Sequence, residues 1–332
     1  PSVRSVVALI RQGRCTLLGA LQQQQIMMLE CMISAYTLAA LSLEGARSSE
    51  RQMMASNWLI MIAGLAFSYS APIQEMHPLR PLRSLFHPAI IFSTMGQAAI
   101  HLFCMAYSVQ LATSTMGEAK LAEVKEFNRK VRAGEAVAAE GADEEDMMTQ
   151  MMSLWAAPFM PNLMNSVIFL VETAQIIAVL FVNYKGRPWM IGMTENHPLF
   201  LSIFACIGGV AACAWQLSPQ LNTMIHLHPF PDDDFRYKVM TMVLLSIVGT
   251  FIWDRLMLLI FSPKIFRAML DELFKTGIKD ILPMFKSLLK VFAGLMLLGS
   301  GNIFLWGGAY WLYRKYSAGQ QEREAKELGV IS

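Results

Sequence analysis

Residues 162–188, PNLMNSVIFLVETAQIIAVLFVNYKGR, limit most sharply what this chain can fold into. An apolar run carries a single acid, Glu172, and stops at Asn183-Tyr184-Lys185-Gly186. About twenty such residues span a hydrocarbon core of roughly 30 Å as a helix. Hydrocarbon offers the backbone no water to bond, so a helix is the form a lone segment takes there. An acid inside that run is costly unless it faces other helices or a wet cavity.

The rest of the chain repeats the pattern. Apolar segments of helix length stand at 25–43, 56–73, 88–112, 163–183, 198–217, 238–262 and 291–313. With 55% hydrophobic and 16% charged residues, against about 25% charged in soluble domains, the chain reads as all-α. The expected fold is a polytopic membrane helix bundle with the lipid bilayer as its first partner and no nucleic acid. Pro1 to Arg14 contains three arginines and no signal-peptide cleavage pattern. With no initiator Met, the chain reads as part of a longer product. Cys31, Cys104, Cys206 and Cys213 lie inside apolar runs and Cys15 just before one. They read as small packing residues, and no Cys/His pair has zinc spacing.

Lys and Arg distribution orients the bundle. Arg4, Arg11, Arg14, Arg80, Arg83, Lys185, Arg187 and six basic residues from Lys264 to Lys290 make thirteen on one face, against nine on the other. The N-terminus and the 74–87 and 184–197 loops are therefore expected in the cytosol, and the 113–161 and 218–237 loops in the lumen. The 113–161 loop is expected to be helical to about Arg132, then acidic and flexible. Segment 263–290 sets apolar residues at helical spacing against Lys275, Lys279, Lys286 and Lys290. It either lies on an anionic leaflet or packs on the protein. Segment 291–313 is expected as an accessory span or a surface-lying hairpin, followed by a polar tail at 314–332. No internal repeat is seen.

Polar groups within the spans are the candidate functional residues: Glu172, Gln175, Glu30, Asn57, Gln97 and His101. Gln175 follows Glu172 by three residues, so both are expected toward one face, lining a polar cavity or packing internally. Glu30 lies one turn inside its span and can snorkel. Gln97 and His101, four apart, read as interhelical glue more than chemistry. Asp254 and Arg255 are adjacent, so their side chains are expected to diverge and find separate partners near the cytosolic side.

An ordered set of short motifs resembles the type V, A branch of P-type ATPases, the endoplasmic-reticulum transmembrane-helix dislocases. It runs from VVALIRQGRCTLLGALQ at 6–22 through Ala35-Tyr36, Leu43-Glu44-Gly45, Arg80-Pro81-Leu82, Phe86, Gln97 and His101. It continues with Asn165-Ser166, NYKG at 183–186, ENHPL at 195–199, Ser218-Pro219, Asn222 and Asp254-Arg255. QGRCTL and NYKG are its most specific members. The resemblance implies that 25–262 is the last six of the family's membrane helices. It also implies that 1–24 is a cytosolic helix leading from the phosphorylation domain, either a rigid lever or a solvated extension.

The implied function is the C-terminal transmembrane half of an ATP-driven pump that extracts misinserted transmembrane helices or signal anchors. Its implied partners are those substrates and the N-terminal half of the same ATPase. ATP and Mg²⁺ are implied for upstream domains, and no cofactor for these residues. DKTGT and TGES motifs are missing from the 332 residues, so no phosphoryl transfer is expected of the chain alone. Two alternatives stand beside this: a fragment of the polyamine-transporting sister branch, and a non-enzymatic multispan scaffold.

Overall fold

The structure is a computed structural model and describes residues 4–132 and 159–275. The chain's internal contacts separate Pro1–Thr276 from Gly277–Ser332. The acidic part of the 113–161 loop, segment 277–290, the 291–313 segment and the tail fall outside the described residues.

Helix α1 runs unbroken from Arg4 to Leu43, about 60 Å at 1.5 Å per residue. A turn at Gly45 (φ +62°) reverses the chain. A Cβ there would stand 2.6 Å from Lys125 Cγ, so glycine serves both the left-handed backbone and the close approach. Helix α2 (Glu50–Ser68) follows, then a loop, then α3 (Pro88–Arg132). Helix α3 kinks at Gly117 (φ +73°), just past its apolar run. The central helix α4 spans Leu163–Asn183, α5 His197–Ala214, short α6 Pro219–Met224, α7 Asp233–Phe261 and α8 Pro263–Lys275.

Five of these helices, α1, α3, α4, α5 and α7, are long and apolar enough to cross a bilayer. Helix α2, with 19 residues, is about 28 Å long but less apolar. It is also shifted from the expected 56–73, because Pro72 cannot continue a helix and disfavours one just before it.

Helix α4 lies at the centre, touching α1, α2, α3, α5 and α7. It is apolar all round and buried nearly all round, as such a helix must be. Its N-terminal half, with Met164 and Val167, packs in a cluster with Met105, Val239 and Val243. Its C-terminal half, with Ile177, packs in another with Leu29, Ile33, Trp189 and Ile203. Helix α8 buries Ile265 and Ala268, while Leu273 and Phe274 stay 66% and 78% exposed. One stripe of the amphipathic helix thus packs on the protein and another does not.

The α3/α7 pair makes the most extensive interhelical contact, and it is set by one glycine. The Trp253 indole lies over Gly96 and donates Nε1–H to the Phe92 carbonyl at 2.9 Å. A Cβ on residue 96 would fall 1.8 Å from Trp253 Nε1. Gly96→Ala is therefore expected to displace Trp253 and cost about 1–3 kcal/mol, the range for overpacking. Gly64→Ala, whose Cβ would meet nothing within 4 Å, should be neutral. Thermal unfolding of the two variants in detergent, followed by Trp fluorescence, checks this.

Candidate functional site

The strongest polar constellation lies where the middle of α1 meets the N-terminal part of α3, the C-terminal end of α4 and the C-terminal part of α7. Lys185, two residues past the end of α4, reaches Asp254 of α7: Nζ to Oδ2 is 2.5 Å, with the two side chains 10% and 2% exposed. The ammonium also donates to the Val182 carbonyl at 3.1 Å. Asp254 Oδ1 accepts from Ser93 Oγ at 2.6 Å. Ser93 in turn accepts from Gln97 Nε2 at 2.9 Å. Gln97 and Asn183 face each other as paired amides, at 2.9 and 3.2 Å. From α1, Gln22 donates to the Lys185 carbonyl at 3.2 Å. A cavity of about 40 Å³ adjoins the pair, lined by Gln22, Gln25, Ser93, Lys185, Asp254 and Trp189. It has room for ordered water among these polar atoms.

Arg255 does not diverge to a separate acid. Its Nη1 is 3.3 Å from Asp254 Oδ2, and its guanidinium carbon sits 4.8 Å above the Phe251 ring. One carboxylate therefore answers two cations. The expectation of separate partners neglected how long the arginine side chain is.

The six candidates are not brought into one site. Gln97 belongs to the network just described. Gln175 is buried and donates to the His101 carbonyl at 2.8 Å, while the His101 ring is buried with no hydrogen-bond partner among the described residues. Glu172 is half-buried and turned to α1, where Ser34 Oγ donates to it at 3.5 Å. The step from residue 172 to 175, about 60° around the helix, is enough to turn Gln175 to α3. Glu30 is half-buried and Asn57 exposed on α2. Among the described residues, no three His, Cys, Asp or Glu side chains are grouped to hold a metal ion.

Sequence reasoning missed Ser93 and missed that Lys185 and Asp254 are partners. A depth signal was present. Lys185 follows the end of α4 by two residues and Asp254 precedes the end of α7 by seven, and a lysine stem can reach across that offset.

The NYKGRPW segment is built around this pair. The Tyr184 hydroxyl donates to Ile191 O at 2.8 Å, and its ring meets Phe67 edge-on at 5.4 Å. A Cβ on Gly186 would lie 2.6 Å from Ile191 O. Trp189 Nε1 donates to Leu79 O at 2.8 Å, and Ile191 N to Ala71 O at 2.9 Å. Beyond it, Arg187 grips Glu195 with two nitrogens, at 2.5 and 3.1 Å, and reaches Glu272 of α8 at 3.5 Å. Asn196 caps α5 and donates to Ala66 O at 2.8 Å.

The Arg187 hydrogen bond holds the Glu195 carboxyl below its ordinary value of 4.5. A depressed carboxylate contributes stability that is complete above the ordinary range and vanishes as pH falls through the depressed value. Amide-exchange protection of Gly192, which donates to Glu195, should therefore persist down to the ordinary carboxylate range near 4.5 and disappear below it. Arg187→Gln should move that loss to higher pH.

Lys185→Met leaves Asp254 buried without its closest cation. Breaking one side of such a pair costs about 3–5 kcal/mol. A clear drop in melting temperature is expected, and adding Asp254→Asn should restore part of it. A double variant no better than the single would refute the pairing.

No protein-family model matches the chain. Curated relatives do. Over 261 residues it is 27% identical to an endoplasmic reticulum transmembrane helix translocase of Aspergillus fumigatus, covering 79% of this chain and 18% of that one. Over 250 residues it is 26% identical to the endoplasmic reticulum transmembrane helix translocase of Saccharomyces cerevisiae, covering 75% and 18%. Over 264 residues it is 31% identical to an Arabidopsis thaliana protein named "Probable manganese-transporting ATPase", covering 80% and 20%. The chain thus spans at most a fifth of the length of these relatives. These matches, together with the spanning helices, show that the chain belongs to the type V, A branch of the P-type ATPases, as part of its membrane region, and is a multi-pass protein of the endoplasmic-reticulum membrane.

Proposed function

We propose that the chain forms the C-terminal transmembrane half of an ATP-driven pump that removes misinserted transmembrane helices and signal anchors from the endoplasmic-reticulum membrane. In this reading ATP and Mg²⁺ act in domains upstream of this bundle, and the N-terminal half of the same ATPase is the partner that couples them to it.

The observation that carries this reading is Glu172. It is a half-buried acid within a span whose hydrogen bond to Ser34 is long, which leaves acceptor capacity between α1 and α4. A polar residue on a wrongly inserted helix finds in it the partner that lipid withholds. Elsewhere on the bundle α1 exposes Met27 and Met28, and α2 exposes Met53, Met54 and Met61. Unbranched, polarizable methionines adapt to many apolar shapes, which suits a pump handling helices of differing sequence. The relatives named as helix translocases support the same direction. In such a pump the long α1 carries motion between the cytosolic and membrane regions as one rod.

Two outcomes follow. The isolated chain should form no ATP-dependent phosphoenzyme above a heat-killed control. Phosphoryl transfer needs an acceptor carboxylate and its Mg²⁺ partners, and no such motif occurs in the sequence. Joined to a matching N-terminal half, the pump should show ATP turnover stimulated by a transmembrane-helix peptide. Glu172→Leu should lower that stimulation by about tenfold, as expected for losing one charged hydrogen bond, and Glu30→Leu by less. Equal effects would remove Glu172 from the groove. Stimulation by Mn²⁺ or a polyamine, with none by the peptide, would overturn the substrate assignment.

A further inference from the structure

A groove of about 400 Å³ opens at the cytosolic end of α1, outside the network and the proposed substrate path. Three arginines line it, Arg14 from α1 and Arg80 and Arg83 from the α2–α3 loop, together with Ile10, Leu17 and Pro81. Arg14 donates Nη1–H to the His77 carbonyl at 2.7 Å, which holds the loop against the helix and fixes the guanidinium at the rim. Arg11 makes a similar bond to the Gln74 carbonyl. Arg80 and Arg83 are exposed. Among the described residues, no ion pair involves Arg14, Arg80 or Arg83.

We propose that this groove binds the phosphate-bearing headgroup of an anionic phospholipid. Three guanidinium groups with no acid among them attract an anion, and their planar donor forks match phosphate oxygens. The volume lies in the range of small-ligand pockets. A free phosphate would use the arginines alone and leave the apolar wall idle. Ile10 and Leu17 are 46% and 41% exposed and lie on the helix that continues into the membrane, so an acyl chain has an apolar track below the headgroup. The depth is suitable too. Leu18, beside this groove, lines one cavity with Ile265 and Met269 of the amphipathic α8, which places the arginines near the level of the cytosolic leaflet. There a basic groove selects anionic lipid from zwitterionic lipid. The inference rests on the membrane reading of α1 and is independent of what the pump transports.

The test reconstitutes the full chain in phosphatidylcholine nanodiscs doped with a phosphatidylinositol phosphate and measures co-purifying lipid by native mass spectrometry. Arg80→Gln with Arg83→Gln should lower retention about tenfold, as expected for losing charge-assisted bonds. Gly13→Phe should lower it as much with every charge intact. A Cβ at Gly13 meets nothing within 4 Å, so the ring fills the groove without straining the helix. Lys264→Gln with Arg267→Gln, on the separate basic surface of α8, should change nothing. Melting temperatures matching the parent chain show that the variants fold. Equal retention in the Arg80/Arg83 variant overturns the proposal. So does an equal loss from the α8 variant, which would mean diffuse surface charge. Displacement of the lipid by inorganic phosphate at equal concentration would also overturn it, by assigning the groove to free phosphate.

Discussion

The contact between Lys185 and Asp254 organises one end of this bundle, where α3, α4 and α7 meet. Desolvating two charges is expensive, and their attraction offsets the cost only when the geometry is close and the remaining donors and acceptors are bonded. Here Ser93 completes one carboxylate oxygen, Val182 and Asp254 engage the ammonium, and Gln97 and Asn183 close the array. The partners come from three helices or their ends, α3, α4 and α7. A rotation of any one helix would strand a charge, so the pair sets helix orientation as much as it adds stability. Such a brace resists sliding in a way that apolar side chains, interchangeable with lipid tails, do not.

A second device recurs at the ends of the helices, where asparagines bond beyond their own segment. Asn196 caps α5 and bonds to Ala66 O of α2. Asn165 reaches Arg47 O across the bundle at 2.9 Å, and Asn222 bonds to Cys213 O. Asn128 holds Gly45 O in the α1–α2 turn. In Asn196 the carboxamide both accepts and donates, so it satisfies an orphan helix-end N–H and ties two segments at once. Rigid ends around a central α4 leave apolar side chains, several methionines among them, exposed on the outward faces of α1 and α2.

Much of this was legible in the chain itself. Length and apolarity of the runs indicated a polytopic helical membrane protein, because transfer into hydrocarbon is a local property of consecutive residues. The ordered motifs, NYKG above all, indicated the family that the relatives share. Glu172 and Gln97 were recognisable as polar groups inside spans for the same reason. What they touch was not. Spacing suggested that Glu172 and Gln175 share a face, yet one meets α1 and the other α3.

Sequence by itself therefore determined the solvent of this protein, the places where helices run, and which residues would be costly to bury. Tertiary structure alone decided that α4 is the centre, that Gly96 is the seat of Trp253, and that Lys185 answers an aspartate 69 residues away. The reason is geometric. Hydropathy reports the depth of a residue along its own helix, whereas a partner is fixed by the rotation and neighbour of each helix, and those are set only when all the helices pack together.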